Sequence, residues 1–178
     1  MAGMFNAFQS VVLLMIIMRT CTVREAGIFS FSFSNASLLL LIANFGVRSY
    51  QVTDREHIYS FNQYFSLRII TYSLMIISAF IFVFFSYGLS FELDRVSIII
   101  LMCLIKGIDS IEDVFYGYYQ NLERLDIGAK CQCLRYIITI FFYSCFLIIF
   151  KNLLIATILT LIISIITMAF LLKSLIPW

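Results

Sequence analysis

Proline and histidine each occur once, at Pro177 and His57, and charged residues make up only 12% of the 178-residue chain. Soluble domains carry about 25% charged residues. With so little charge and a mean hydropathy of +1.02, the chain lacks the polar surface needed to stay in water. A single proline near the end excludes proline kinks from the helices expected upstream. A single histidine in a polar connection, with no nucleophile–base pair and no metal motif, argues against an enzyme. No cofactor and no metal are expected. Cysteines 21, 103, 131, 133 and 145 are odd in number and lie mostly in or beside apolar runs, which suits small apolar packing and not a disulfide framework. "CQC" at 131–133 has no nearby histidine to complete a soft-metal site. A formal charge of +2 is too small to argue for a nucleic-acid partner. The opening "MAGMFNAFQS" has no Lys or Arg, and so lacks the basic region of a secretory signal.

What the chain does have is long apolar runs. They are continuous, about the twenty residues a spanning helix needs, without the alternation of a membrane β-barrel. The expected fold is an all-α integral membrane bundle of six helices, forming one domain. The segments are Phe5–Met18, Ile28–Val47, Tyr64–Tyr87, Val96–Tyr119, Leu134–Phe150 and Leu153–Leu172. The longest polar connection runs from Arg48 to about Gln63. With a cytoplasmic N-terminus, seven cations (Arg48, Arg55, Arg68, Arg124, Lys130, Arg135, Lys173) fall on the inner side. Four (Arg19, Arg24, Arg95, Lys151) fall on the outer side, which favours both termini inside. In the last segment Thr157, Thr160, Ser164 and Thr167 share one helical face, the pattern of helix–helix packing within a membrane.

The fourth segment breaks the apolar rule with "KGIDSIEDVFYGYYQ" at 106–120. On a wheel at about 100° per residue with Lys106 at the origin, Asp109, Asp113, Tyr116 and Gln120 fall between about 280° and 340°. Glu112 sits at the margin of this stripe, at about 240°. Ile108, Ile111, Val114 and Phe115 occupy the opposite side. A charge facing lipid at mid-bilayer costs about 2.5–3.5 kcal/mol on insertion scales, so the stripe must face water or other helices. Lys106 can pair with Asp109 at i,i+3, which leaves two carboxylates in need of partners. Arg19, Arg48, Arg68 and Arg95 are the candidates. Lys106, Asp109, Glu112, Asp113, Tyr116 and Gln120 are thus expected to line a transport cavity or coupling site.

Two stretches carry a family resemblance. "VREAGIFSFSFSNASLLLLIANFGVRSYQVTDREHIYSFNQYFSLRIITYSL" resembles the second and third helices of bacterial polysaccharide flippases, within the multidrug/oligosaccharidyl-lipid/polysaccharide exporter superfamily. "SIEDVFYGYYQNLERLDIGAK" resembles the fourth helix and the loop after it. The likeness covers roughly residues 19–75 and 106–135, with Thr22 standing where the family usually has glycine. It implies plasma-membrane transport of a lipid-linked oligosaccharide, typically on undecaprenyl pyrophosphate, between two six-helix bundles around a cationic cavity. Arg48 and Asp54 match the "R…D" after the second helix, and Arg68 the start of the third. Asp113, Gln120 and Arg124 match the fourth-helix pattern. The resemblance implies substrate-phosphate or gating roles for Arg48, Asp54, Arg68 and Arg124.

Six helices are half of that architecture, so a second six-helix bundle or a homodimer partner is expected to close the cavity, with membrane lipid around it. Two alternatives stay open. One is a small homodimeric drug or cation exporter; the other is a truncated, non-transporting fragment.

Overall fold

The computed structural model describes residues 2–54, 58–87 and 93–175. Arg55, His57 and Pro177 lie outside them. The described residues are α-helical with no strand, in the order α1 (Ala2–Thr20), α2 (Val23–Asn44), α3 (Val47–Thr53), α4 (Phe61–Tyr87), α5 (Leu93–Asn121), α6 (Leu125–Phe150) and α7 (Leu153–Leu175). Among the described residues, four stretches are long and apolar enough to cross a membrane: Val23–Thr53, Phe61–Ser86, Leu125–Phe150 and Leu153–Leu171. Large apolar side chains such as Leu41, Phe85, Ile149 and Phe170 face outward, a surface suited to lipid rather than water. These are the features of a membrane protein. α5 is the longest helix at 29 residues, yet its charges keep it out of that group.

Local chemistry sets the helix ends. Thr22 and Glu25 form a reciprocal capping box at the start of α2, with Thr22 N donating to Glu25 Oε2 at 2.9 Å and Glu25 N to Thr22 Oγ1 at 3.3 Å. Asn152 Oδ1 accepts from the amides of Leu154 and Ile155 to open α7. α2 stops at Phe45 and Gly46, both left-handed at φ 34° and 67°, and the chain restarts at once as α3. The expected polar connection after Arg48 therefore begins as helix. α6 starts at Leu125 and not at Leu134; its first turns, "LDIGAKCQC", mix polar and apolar residues and so do not extend the apolar run that marks the segment in the sequence.

α5 runs through the middle of the bundle, packed against α2, α3, α4, α6 and α7, while α1 packs against α2 and α6. Ile108, Val114 and Phe115, its apolar side, are buried against neighbours. Two glycines permit close approach. A Cβ on Gly107 would lie 2.0 Å from Cε2 of Tyr72 in α4, and one on Gly117 would lie 2.4 Å from Oε1 of Gln51 in α3. The hydroxyl stripe of α7 packs inside the bundle: Thr157, Thr160 and Ser164 are buried, and Thr157 Oγ1 lies 3.0 Å from the Tyr143 hydroxyl of α6.

Arg68 and Arg135, counted above among the inner-side connections, lie instead within helices and are buried. The charge bias thus drops to five cations against four.

Candidate functional site

The polar stripe of α5 engages its neighbours through two sets of ion pairs. Toward α3 and α4, Asp113 holds two arginines. Arg48 Nη1 donates to Oδ1 at 2.9 Å and Arg68 Nη2 to Oδ2 at 3.0 Å. Arg48 also donates from Nε and Nη2 to Gln120 Oε1, at 3.2 and 2.9 Å, about two helical turns further along α5. Arg68 is completely buried, and its Nη1 reaches the carbonyls of Ala43 and Asn44 at 2.7 and 3.0 Å. Those carbonyls end α2, where the helix dipole is negative and the last C=O groups have no partner within the helix. Thr71 Oγ1 adds a second donor to Ala43 O at 2.8 Å.

Toward α6, Arg135 spans two carboxylates one turn apart, donating from Nη2 to Asp109 Oδ1 at 2.9 Å and from Nη1 to Glu112 Oε2. The Tyr116 hydroxyl donates to the same Glu112 oxygen at 2.8 Å. Lys106, 1% exposed, completes the set. Its Nζ lies 3.4 Å from both Asp109 Oδ2 and Gln9 Oε1 of α1, and 4.4 Å from the centroid of the Phe33 ring in α2. Through these contacts α5 holds α1, α2, α3, α4 and α6 by charge.

Most of the site residues expected from the sequence meet here: Lys106, Asp109, Glu112, Asp113, Tyr116 and Gln120 on α5, with Arg48 and Arg68 opposite. Asp54 and Arg124 stand apart. Asp54 organises its own turn, accepting from the amides of Ile58 and Tyr59 and from the Tyr64 hydroxyl at 2.7 Å. Arg124 is exposed between α5 and α6, its amide donating to Tyr119 O at 2.9 Å. The residue that sequence reasoning missed is Arg135, the shared partner of Asp109 and Glu112. A signal for it exists: Arg135, Thr139, Tyr143 and Leu147 step by four along one buried face of α6.

Among the described residues, four cations thus meet three carboxylates along this face of α5. The hydrogen bonding is incomplete: Glu112 Oε1, Arg68 Nε and Arg135 Nε are buried without a partner. Among the described residues no group of three or more His, Cys, Asp or Glu is placed to hold a metal ion. All five cysteines are free thiols. No protein-family model, curated protein or solved structure matches the chain.

Proposed function

We propose that this chain is a transmembrane bundle of a polysaccharide flippase, which moves a lipid-linked oligosaccharide across the plasma membrane. The observation that carries the reading is the α5 network, with its surplus of cations and its open polar atoms. Ionisable groups at membrane depth mark transport pathways and coupling sites more often than fasteners. A network that served only to hold helices together would close its hydrogen bonds, since each buried open atom costs about 1–3 kcal/mol. Arginines suit the oxygens of a diphosphate carrier, which they meet in bidentate geometry. The carboxylates suit a proton or coupling cation, whose differential binding would shift the balance between inward and outward openings. The two stretches that resemble flippases include Arg48, Arg68, Asp113 and Gln120, which contact one another across the sequence. A second six-helix bundle or a second copy would complete the cavity, and both termini would face the cytoplasm.

Deleting the gene in its native cell tests the reading. Lipid-linked oligosaccharide should accumulate on the cytoplasmic leaflet and surface polymer should fall. Wild-type chain should restore both, and Lys106→Ala or Asp109→Asn at equal membrane abundance should not. Unchanged polymer and unchanged lipid-linked pools after deletion would refute it. Full rescue by both variants would instead reduce the network to a fastener.

A further inference from the structure

The short helix α3 is joined to α2 by two consecutive left-handed residues, Phe45 at φ 34° and Gly46 at φ 67°. Glycine adopts that conformation freely, whereas a residue with a side chain enters it at a cost. The end of α2 is closed without help from α3. Arg68 Nη1 donates to the carbonyls of Ala43 and Asn44, Thr71 Oγ1 donates to Ala43 O, and the Phe45 amide donates to Leu41 O at 3.0 Å. α3 lies on α5 beside Gly117, and its buried residues are Val47 and Gln51. Val47 packs with Tyr64 and Val114 next to the joint. Among the described residues two side chains hold α3 to α5 by polar contacts. Arg48 pairs with Asp113 and Gln120, and Asn121 Nδ2 reaches the carbonyls of Gln51 and Asp54 at 3.3 and 3.4 Å. The outer face of α3, Ser49, Tyr50 and Thr53, is exposed.

We propose that α3 is a strap that detaches from α5 as a unit, turning at Phe45–Gly46, and so covers and uncovers the Asp113 side of the network. The closed position carries its own opposing force. Gln51 is 2% exposed, yet among the described residues its Oε1 has no hydrogen-bond partner where it faces Gly117. An open buried acceptor is costly, and lifting returns it to water. Lifting also strands no charge. Asp113 keeps Arg68, which belongs to α4 and is anchored on the end of α2, while Arg48 already has 32% of its side chain exposed and moves outward. The other cations of the network have no such freedom. Arg68, Lys106 and Arg135 are buried, and the pairs that Lys106 and Arg135 make with Asp109 and Glu112 do not involve α3. Beyond α3 the turn stays tied to α4 through the Tyr64 hydroxyl and Asp54 Oδ2 at 2.7 Å, so the strap lifts without coming loose. The motion uncovers Asp113, Gly117 and Gln120 and leaves the Lys106–Arg135 side closed. It is a property of the fold, whatever the bundle carries.

Hydrogen exchange of the full chain in lipid nanodiscs, read residue by residue by mass spectrometry, tests this. The amides of 50–54 should exchange well before those of 41–45 at the end of α2 and those of α5, because a segment that opens by itself exchanges below the global limit. Arg48→Ala should speed exchange at 50–54 by about fivefold, the worth of one partly exposed ion pair. Gln51→Met keeps the length of the side chain and removes the open acceptor. It should slow exchange at 50–54 by about tenfold. Neither change should alter exchange at 41–45 or along α5. If Arg48→Ala fails to fold, Gln51→Met still decides the matter, since it strengthens the closed state. Three results would overturn the proposal. Exchange at 50–54 in step with α5 would mean that α3 opens only when the bundle does. Equal acceleration at 41–45 by Arg48→Ala would mean that α2 and α3 move as one helix. Unchanged or faster exchange in Gln51→Met would remove the force that opposes closure.

Discussion

Arg68 on α4 and Asp113 on α5 meet at 3.0 Å, and the same guanidinium closes the end of α2 through Ala43 O at 2.7 Å. One buried cation thus fixes three helices. Asp113→Ala would leave that cation without its counter-charge, and breaking a buried pair from one side costs about 3–5 kcal/mol. Thermal unfolding followed by circular dichroism in detergent should show a large loss. Arg48→Ala removes the other, half-exposed arginine and should cost far less, about 1 kcal/mol or below.

Arg135 holds Asp109 and Glu112 together, so Arg135→Ala leaves two carboxylates facing each other in the bundle. It should destabilise more than Lys106→Ala, because Asp109 then still has Arg135. Glu112→Gln in the Arg135→Ala background should recover part of the loss, since it removes one of the stranded charges. A double-mutant cycle on unfolding free energies measures this coupling, with a pairwise term of about 0.5–3 kcal/mol expected.

Gly107→Ala drives a methyl group into the Tyr72 ring, and overpacking of this kind costs about 1–3 kcal/mol. The second-site change Tyr72→Leu should relieve it, because it removes the ring atoms that the new Cβ meets. Gly27→Ala is the control: a Cβ there meets nothing within 4 Å, and stability should hold or rise slightly. Unfolding midpoints of the three variants decide the point.

Tyr143→Phe deletes the hydrogen bond to Thr157 between α6 and α7 while keeping the packed ring. A loss of about 1 kcal/mol is expected. Thr157→Val should cost a similar amount, and the two together little more than either alone. Departure from that non-additivity, read from unfolding curves, would show that the hydroxyls act independently.

The polar face of α5 was legible because its charges lie on successive turns of one helix, where projection alone groups them. Their partners were half legible. Arg48 and Arg68 stand beside motifs that draw attention to them, whereas Arg135 stands at the threshold of the run "LRYIITIFF" and reads as a loop cation. Only the early start of α6 at Leu125, through the weakly apolar "LDIGAKCQC", carries it inside. The break between α2 and α3 had its glycine in plain view, yet the following Val47 extended the apolar run past it.

The charged middle of α5 also bears on how the protein is made. A segment carrying Lys106, Asp109, Glu112 and Asp113 partitions poorly from the translocation channel into lipid on its own. Its counter-charges arrive on both sides in time: Arg68 is synthesised before it on α4, and Arg135 after it on α6. α5 is therefore expected to wait in the channel until α6 has emerged, and to enter the bilayer as a hairpin with it across the short turn at 122–124. The order of synthesis, and not hydrophobicity alone, then determines whether this helix reaches the membrane.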